Sequence, residues 1–291
     1  MAPDTVLAEE AAAPAGAGGL RLSRRRAAGP ETASGLLFTV LGEFVLPAGG
    51  AAWTSAFIDV LGRLGVEEKA CRQALMRTAA DGWLVSERAG RRTRWRLSAS
   101  GEQLLTEGAA RIYGFTAVRH DWDGQWLLIL ARVPESERPA RHRLRTRLRW
   151  AGFGSPAPGV WLSAHADRAA EAEQALADAG QLAEAQIFRA AHAGGGPLAD
   201  LARQCWDLGE IERRYEEFLA EFAAPDCPDP LARLVELVHA WRRFPWVDPA
   251  LPAELLPERW SGGRAAALFE QQHARWAEQA AAEWQRISVR P

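Results

Sequence analysis

The sequence predicts an α+β fold with an N-terminal winged helix-turn-helix, a central ferredoxin-like α/β domain and a C-terminal all-helical domain. Three observations support this prediction. The first hundred residues read as helices followed by two alternating strands, the middle alternates strands with helices, and the last third has helical periodicity throughout. A chain of 291 residues also exceeds the usual single-domain length, so several domains are expected.

The N-terminal segment, residues 1–32, is rich in Ala, Gly and Pro and has no sustained hydrophobic period. This composition predicts a disordered arm. The predicted boundaries that follow are 33–112 for the winged helix with its tether helix, 113–196 for the central domain and 197–291 for the helical domain.

Two helices open the predicted winged helix. "SGLLFTVLGEFVL" (34–46) has the apolar content of a buried helix beginning at Ser34. "WTSAFIDVLGRLG" (53–65) is amphipathic, with Thr54 or Ser55 as its N-cap. The glycine-rich "PAGGAA" between them predicts a loop.

The third helix, "EEKACRQALMRTAADG" (67–82), is expected to end with Gly82 at the C′ position. One of its faces is small and mostly apolar. The other carries Met76 and the candidate DNA-contacting residues Lys69, Arg72, Gln73 and Arg77, at helical spacings of three and four.

Two alternating segments, "WLVSER" and "TRWRLS", are joined by a glycine-containing turn and predict a hairpin. In a winged helix-turn-helix this hairpin is the wing. It carries four candidate DNA-contacting arginines: Arg91, Arg92, Arg94 and Arg96. Strand alternation puts the last three on one face, with Trp95 and Leu97 on the other.

The charge of this N-terminal domain predicts binding to double-stranded DNA. Residues 1–98 hold 13 Lys or Arg against 10 Asp or Glu, although the whole chain has a net charge of −2. A helix in the major groove can bring arginines to guanine edges or phosphates, and a basic hairpin can hold the backbone or minor groove. Either element alone is compatible with a solvated basic face. Their agreement in charge and position favours DNA binding.

The central region alternates strands and helices after a tether helix at 99–111. The strands are "QWLLILARV" (125–133), "PGVWLSA" (158–164) and "AQIFRAAHA" (185–193), with a basic and an acidic helix between them. This β-α-β-α-β series predicts a small ferredoxin-like sheet with helices on one face. From Trp206 onward the pattern is helical, with prolines in the loops.

The basic helix of the central region has six arginines between Arg138 and Arg149. One interpretation is an exposed helix face that makes salt bridges between domains. The other is a site for an anionic effector, such as the phosphates of a coenzyme A thioester. In that case Arg145 or Arg149 would meet the phosphates, while tryptophans such as Trp161 would shelter the acyl group.

The sequence shows no set of residues with the spacing of a known catalytic site. Ser155 lacks the G-x-S-x-G spacing, and the histidines and cysteines show no metal-ligand spacing. Asp121 and Asp123 could hold a cation, although such a pair more often begins a strand. We therefore predict no catalytic residues, no metal and no cofactor. The few cysteines and the lack of a long apolar run predict a cytoplasmic protein outside the membrane.

Several segments in order resemble the PaaX family of bacterial transcriptional repressors. They include "LFTVLGEFV", "GGAAWTSAFIDVLGRLGVEEKACRQALMRTAADGWL", "GRRTRWRLS", "WDGQWLLIL", "RLRTRLRWAGFG", "PGVWLSAHAD", "FLAEF" and "WRRFPWVDPALPAELLPERWSGGRAAALF". The resemblance implies a homodimer on a palindromic DNA operator, released by an aryl- or acyl-coenzyme A thioester.

The resemblance also implies a central domain related to CRISPR adaptation nucleases, which place an aspartate at the end of their first strand. The matching stretch here is "LILARVPE", so nuclease activity is not implied.

The alternative to an operator-binding repressor is a family relative that does not bind an operator. Such a relative would act as an enzyme or scaffold through its tryptophan-rich central and C-terminal domains.

Overall fold

The computed structural model describes residues 32–115, 122–224 and 227–289. These residues form an α+β structure of many helices and two antiparallel sheets. The arm predicted at 1–32 lies outside the described residues except for Thr32. Within the described ranges, no helix has the length and apolar content to cross a membrane.

The first helix, α1, spans Ala33–Val40 and continues as a π-helical turn over Leu41–Val45. Its N-cap is Thr32, whose hydroxyl oxygen accepts a hydrogen bond from the Gly35 amide at 3.1 Å. The expected start at Ser34 is therefore wrong by two residues. Thr32 satisfies an amide that the first turn would otherwise leave unpaired.

The second helix, α2, spans Thr54–Arg63 and has Trp53 as its N-cap, without a side-chain capping bond. Neither predicted cap, Thr54 or Ser55, holds that position. The segment before α2 is also not a simple loop, because Ala51–Trp53 forms a short strand, β1.

The third helix, α3, spans Glu68–Ala80, and Gly82 follows at C′ with a φ of +83° as predicted. The predicted hairpin is also present. Its strands are β2, Leu84–Ala89, and β3, Arg92–Leu97. Strand β3 is central in the sheet, because it pairs with both β1 and β2.

The tether helix, α4, spans Ala99–Gly114, and the Ser98 hydroxyl caps it by accepting from the Gly101 amide at 3.0 Å. A Cβ atom at Gly101 would lie 2.3 Å from the carbonyl oxygen of Trp83. Only glycine therefore allows α4 to pass this close to the hairpin.

The elements of the central region in chain order are β4 (Gln125–Leu130), α5 (Arg138–Trp150), β5 (Gly154–Ala157), β6 (Val160–Ser163), α6 (Ala169–Asp178) and β7 (Gln186–Ala191). The four strands form an antiparallel sheet in the order β5-β6-β4-β7. Strand β5 was not predicted, because its sequence, GSPA, has few strand-forming residues. It lies at the sheet edge, where Pro156 is tolerated.

Both central helices pack on the same side of this sheet. Leu144 and Leu148 of α5 and Leu176 of α6 are buried in one cluster with Ile129 of β4 and Trp161 of β6. Burial of such apolar side chains is the main force that holds helices to a sheet.

After β7 the described secondary-structure elements are all helical, as predicted. The helices are α7 (Leu198–Cys205), α8 (Leu208–Phe222), α9 (Pro230–Trp241), α10 (Phe244–Val247) and α11 (Gly262–Ser288). Asp207 and Asp229 cap α8 and α9 by accepting from the Glu210 and Ala232 amides.

A single hydrophobic core joins the N-terminal and C-terminal helices. It contains Phe57 of α2 and Trp284 of α11. It also includes Trp126, on the face of the central sheet opposite α5 and α6. Trp284 stacks on Phe44 with ring centroids 5.5 Å apart and meets Phe57 edge-on at 5.9 Å. Residues 32–101 therefore have no core of their own that is separate from α11.

Candidate nucleic-acid interface and ligand groove

Helix α3 has two faces of different character. Cys71, Ala74, Leu75 and Thr78 are buried, as expected from the apolar side of the sequence pattern. The other face is solvent-exposed and forms one shallow surface lined by Glu68, Lys69, Arg72, Gln73, Met76 and Arg77. The structure thus brings the four candidate residues of α3 together on one exposed surface.

Arg72 is held along this surface by an ion pair within the helix. Its guanidinium contacts the Glu68 carboxylate four residues earlier, at 2.7 Å. Both side chains are more than half exposed, so the pair contributes only about 0.3–0.5 kcal/mol. Arg72 can therefore leave Glu68 for a phosphate or a base at little cost.

Met76 is an additional member of the same face, although it is not one of the DNA-contacting residues predicted from the sequence. Its side chain is 61% exposed and lines the same surface as the four candidate residues. The charges of Lys69, Arg72 and Arg77 indicate DNA contact from the sequence alone. The apolar side chain of Met76 carries no such signal.

The wing, the β2–β3 hairpin over residues 84–97, has the predicted alternation. Arg92, Arg94 and Arg96 are exposed, whereas Trp95 and Leu97 are buried. Arg91 is also exposed and is the second residue of the two-residue turn, whose first residue, Gly90, has a φ of +62°. A glycine at the first turn position suits a type II′ hairpin turn.

The arginines of the wing differ in their partners. The Arg96 guanidinium lies 2.9 Å from the Glu87 carboxylate on the neighbouring strand. Among the described residues, by contrast, no acidic side chain forms an ion pair with Arg92 or Arg94. Arg88 and Arg91 of the wing are exposed as well, so the wing presents several guanidinium groups to an external anion.

The wing is fixed to the helices through Trp95. Its indole Nε1 donates to the Thr54 hydroxyl at 2.9 Å, and that hydroxyl donates to the Thr93 carbonyl at 2.9 Å. Thr54 therefore connects the start of α2 to the middle of β3. No local sequence pattern indicates this role, because Thr54 and Trp95 meet only in the folded chain.

The three candidate effector residues also lie together. Arg145, Arg149 and Trp161 line one open groove of about 1450 Å³ between α5 and the segments around β5 and β6. Burial and the neighbouring Arg145 lower the pKa of Arg149. Trp161 is only 7% exposed, so most of its ring belongs to the core and only an edge reaches the groove.

One arginine of the basic helix forms a salt bridge within the central region, not on an exposed face between domains. Arg147 forms an ion pair with Asp178 of α6, and both side chains are largely buried. Helix α5 therefore uses Arg147 to hold α6, while Arg145 and Arg149 face the groove.

The residues weighed for metal binding or catalysis have structural contacts. Asp123 accepts from the Gln125 amide at 2.9 Å, where β4 begins, and pairs with Arg189 at 3.0 Å. Asp121 lies outside the described residues. The Ser155 hydroxyl donates to the Ala157 carbonyl within the edge strand. In the described part of the chain, no group of three or more His, Cys, Asp or Glu could hold a metal ion.

Three protein-family models match consecutive parts of this chain. They are a PaaX-like protein over residues 32–101, the PaaX protein central Cas2-like domain over 119–202 and the PaaX-like protein C-terminal domain over 206–286. The chain belongs to the PaaX family. The first match contains both α3 and the wing.

A named relative agrees with this PaaX assignment. The chain is 30% identical to the transcriptional repressor PaaX of Escherichia coli over 253 residues, which cover 82% of this chain and 78% of the relative. It is also similar to the solved structure of the uncharacterized protein Rv0674 from Mycobacterium tuberculosis. The TM-score is 0.60 at 25% identity, covering 89% of this chain and 99% of the other. The family predicted from the sequence is confirmed.

Proposed function

We propose that this PaaX-family protein is a transcriptional regulator that binds a double-stranded DNA operator through α3 and the wing. The observation that carries the proposal is the exposed basic face of α3 beside the unpaired arginines of the wing. Similarity to the repressor PaaX of E. coli supports the same conclusion. The intact basic surface favours this function over an enzyme or a scaffold.

Helix α3 supplies the residues that read bases. Arg72, Gln73 and Arg77 share one exposed face, and arginine and glutamine have the geometry to recognise guanine and adenine edges in the major groove. Lys69, at the start of the same face, adds a phosphate contact. The buried opposite face anchors this surface to the rest of the N-terminal helices.

The wing binds the DNA backbone. Arg91, Arg92, Arg94 and Arg96 project from a hairpin whose other side is locked in the core by Trp95. Phosphate contacts of this kind position a protein on the duplex and add affinity without sequence preference. The wing thus complements the base contacts of α3.

The protein acts as a homodimer of three-domain subunits. The proposed domains are a winged helix at 33–112, a ferredoxin-like domain at 113–196 and a helical domain at 197–291. The β-α-β-β-α-β order and the antiparallel sheet of the central region support the second assignment. A two-fold dimer, with the central sheet as its contact, would place two α3 helices about 34–36 Å apart on the operator.

An anionic effector releases the DNA. The groove lined by Arg145, Arg149 and Trp161 is open and large enough for a bulky polyanion such as an aryl- or acyl-coenzyme A thioester. The two guanidinium groups would hold its phosphates, and the exposed edge of Trp161 would contact the acyl group.

The decisive experiment is selection of DNA duplexes from a random pool by the full-length protein. A defined motif should emerge, and its half-sites should be related by two-fold symmetry. The triple replacement of Arg72, Gln73 and Arg77 by alanine should abolish the preference for this motif. The control Arg203→Ala, in an exposed ion pair with Asp200 on α7, should leave it intact. Selection of no motif by the unaltered protein would refute the proposal.

A further inference from the structure

The exposed surface of α3 contains one carboxylate among its cations. Glu68, the first residue of the helix, lines this surface together with Lys69, Arg72 and Arg77. Its side chain is 59% exposed. In a helix that enters the major groove, the N-terminal residues are the ones that meet base edges. Glu68 therefore lies where a base-reading residue is expected.

A carboxylate on this surface weakens general binding to DNA. Affinity for DNA of any sequence comes from neutralising phosphate charge, and a negative side chain at the interface opposes it. The contribution of Glu68 to folding is also small, because its ion pair with Arg72 is more than half exposed on both sides. The helix N-terminus attracts negative charge, but Glu67 at the N-cap already brings a carboxylate to this end. Glu68 favours DNA recognition only if it accepts from a donor on a base edge.

The base edge that suits a carboxylate in the major groove is that of cytosine. Cytosine presents only the N4 amino donor there, whereas guanine, adenine and thymine each present an oxygen or nitrogen acceptor. These acceptors repel a carboxylate. A glutamate in the groove therefore selects cytosine both by attraction and by exclusion of the other three bases.

The ion pair with Arg72 is compatible with a joint contact to DNA. Nε of Arg72 donates to Oε1 of Glu68 at 2.8 Å, and Nη2 lies 2.7 Å from the same oxygen. Oε2 of Glu68 can therefore accept from cytosine while the pair persists. A guanidinium has five N–H donors, so Arg72 keeps others for a guanine edge. Its positive charge also offsets the cost of bringing Glu68 into the groove.

We infer that Glu68 is a specificity-determining residue that selects cytosine close to the base contacted by Arg72. The two residues are four positions apart on one face of the helix. This spacing is about 6 Å along the helix axis, close to the height of two base pairs at about 3.4 Å each. The selected cytosine should thus lie within about two base pairs of the Arg72 position. The assignment rests on the proposed DNA binding by α3.

The first test compares the duplexes that variants select from a random pool. The unaltered protein should select a motif with a cytosine within about two base pairs of the position whose preference is lost in Arg72→Ala. Glu68→Gln should lose about tenfold of the preference for this cytosine, the effect of one good base contact. Adenine should gain at the same position, because glutamine recognises its N6 and N7 atoms.

Glu67→Gln is the matched control. It removes the same charge one residue earlier, but Glu67 is the N-cap of α3 and is not among the residues that line the surface. This variant should select the unaltered motif. Both variants should show a similar small decrease in thermal stability, since both carboxylates lie at the N-terminus of the helix. A change of motif in Glu68→Gln alone would separate base recognition from charge and from folding.

A cytosine analogue tests the contact itself. Replacing the selected cytosine by 2-pyrimidinone removes its 4-amino group and should weaken binding of the unaltered protein about tenfold. The same loss is expected for the control Glu67→Gln. Glu68→Ala has already lost the contact, so the analogue should weaken its binding little further. Competition binding monitored by fluorescence anisotropy measures all these affinities.

Three results would overturn this assignment while the proposed function stands. The motif contains no cytosine within about two base pairs of the Arg72 position, Glu68→Gln selects the unaltered motif, or the losses caused by Glu68→Ala and by the analogue simply add. Selection of no motif by the unaltered protein would refute the proposed function and this assignment together.

Discussion

Arg63 of α2 contacts Glu283 of α11, with 2.7 Å between Nη2 of the arginine and Oε1 of the glutamate. The same guanidinium contacts Asp59 at 2.7 Å and Asp229 at 3.3 Å. Asp59 lies in the same helix, whereas the contacts with Asp229 and Glu283 cross from the N-terminal helices to residues more than 160 positions later. The ion pairs of Arg63 thus stabilise the same contact between α2 and α11 that Trp284 stabilises by packing.

Replacement of Arg63 by alanine should lower the free energy of unfolding by about 1 kcal/mol, because each partly exposed ion pair contributes little. Hydrogen bonds from Arg286 and Arg63 lower the pKa of Glu283 to about 2. The stabilisation should therefore be complete above about pH 4.5 and decline as the pH falls toward 2. Urea denaturation at several pH values measures both effects. A difference between the two proteins that is as large at pH 2 as at pH 6 would contradict this account.

The buried histidine of α9 predicts a second pH effect. His239 Nδ1 lies 3.0 Å from the Thr39 hydroxyl, and burial with the nearby Arg242 and Arg243 lowers its pKa to about 3. The unfolded chain takes up this proton below about pH 6.5, so acidification favours unfolding between pH 6.5 and 3. The loss should be about 2 kcal/mol at pH 5. His239→Asn should show a correspondingly smaller loss from pH 7 to 5, and an identical loss would contradict the assignment.

The wing should control affinity rather than sequence preference. Replacing Arg92 and Arg94 by alanine should weaken binding to the selected duplex and to random DNA alike. It should also flatten the slope of log affinity against log salt by about 2. Arg189→Ala, an exposed arginine paired with Asp123, is the control. Fluorescence anisotropy over a range of salt concentrations measures the slope, and an unchanged slope would show that the wing makes no phosphate contacts.

The Trp95 side chain should be essential for the stability of the wing. Trp95→Ala is expected to cost about 3–5 kcal/mol, since the ring is 4% exposed and leaves a large cavity. Thr54→Val removes only the hydroxyl that links Trp95 to Thr93, so the expected cost is about 1–3 kcal/mol. Thermal and chemical denaturation compare the two variants. A smaller loss for Trp95→Ala than for Thr54→Val would contradict this order.

Met76 should contact a thymine methyl group, since apolar side chains recognise that group in the major groove. Met76→Ala should weaken binding to the selected duplex. The loss should disappear when the contacted thymine is replaced by deoxyuridine, which lacks only the methyl group. Leu182→Ala, at an exposed leucine outside α3, is the control. If the loss of affinity caused by Met76→Ala and the loss caused by deoxyuridine simply add in the combination, Met76 does not contact this methyl group.

The sequence predicted features that depend on local periodicity. The two faces of α3 follow from helical spacing, and the burial of Trp95 opposite Arg94 follows from strand alternation. Gly82 was placed correctly because a helix end often requires a left-handed residue. These signals involve residues within about ten positions of one another.

Features that depend on distant partners were missed. β1 is three residues long and forms only because Ala51 pairs with Arg96 of the wing. β5 contains a proline and depends on β6 for its pairing. The cap of α2 was misassigned because Thr54 instead bonds to the wing.

Because Trp284 stacks on Phe44, the DNA-binding part of the chain cannot simply be transferred alone from one relative to another. Residues 32–101, if transplanted alone, would expose the aromatic surface that α11 normally covers. A chimera with a new DNA preference would therefore need α11 from the same donor to remain soluble. Among natural relatives, the side chains at positions 44, 57 and 284 should consequently vary together, even where the base-reading face of α3 diverges freely.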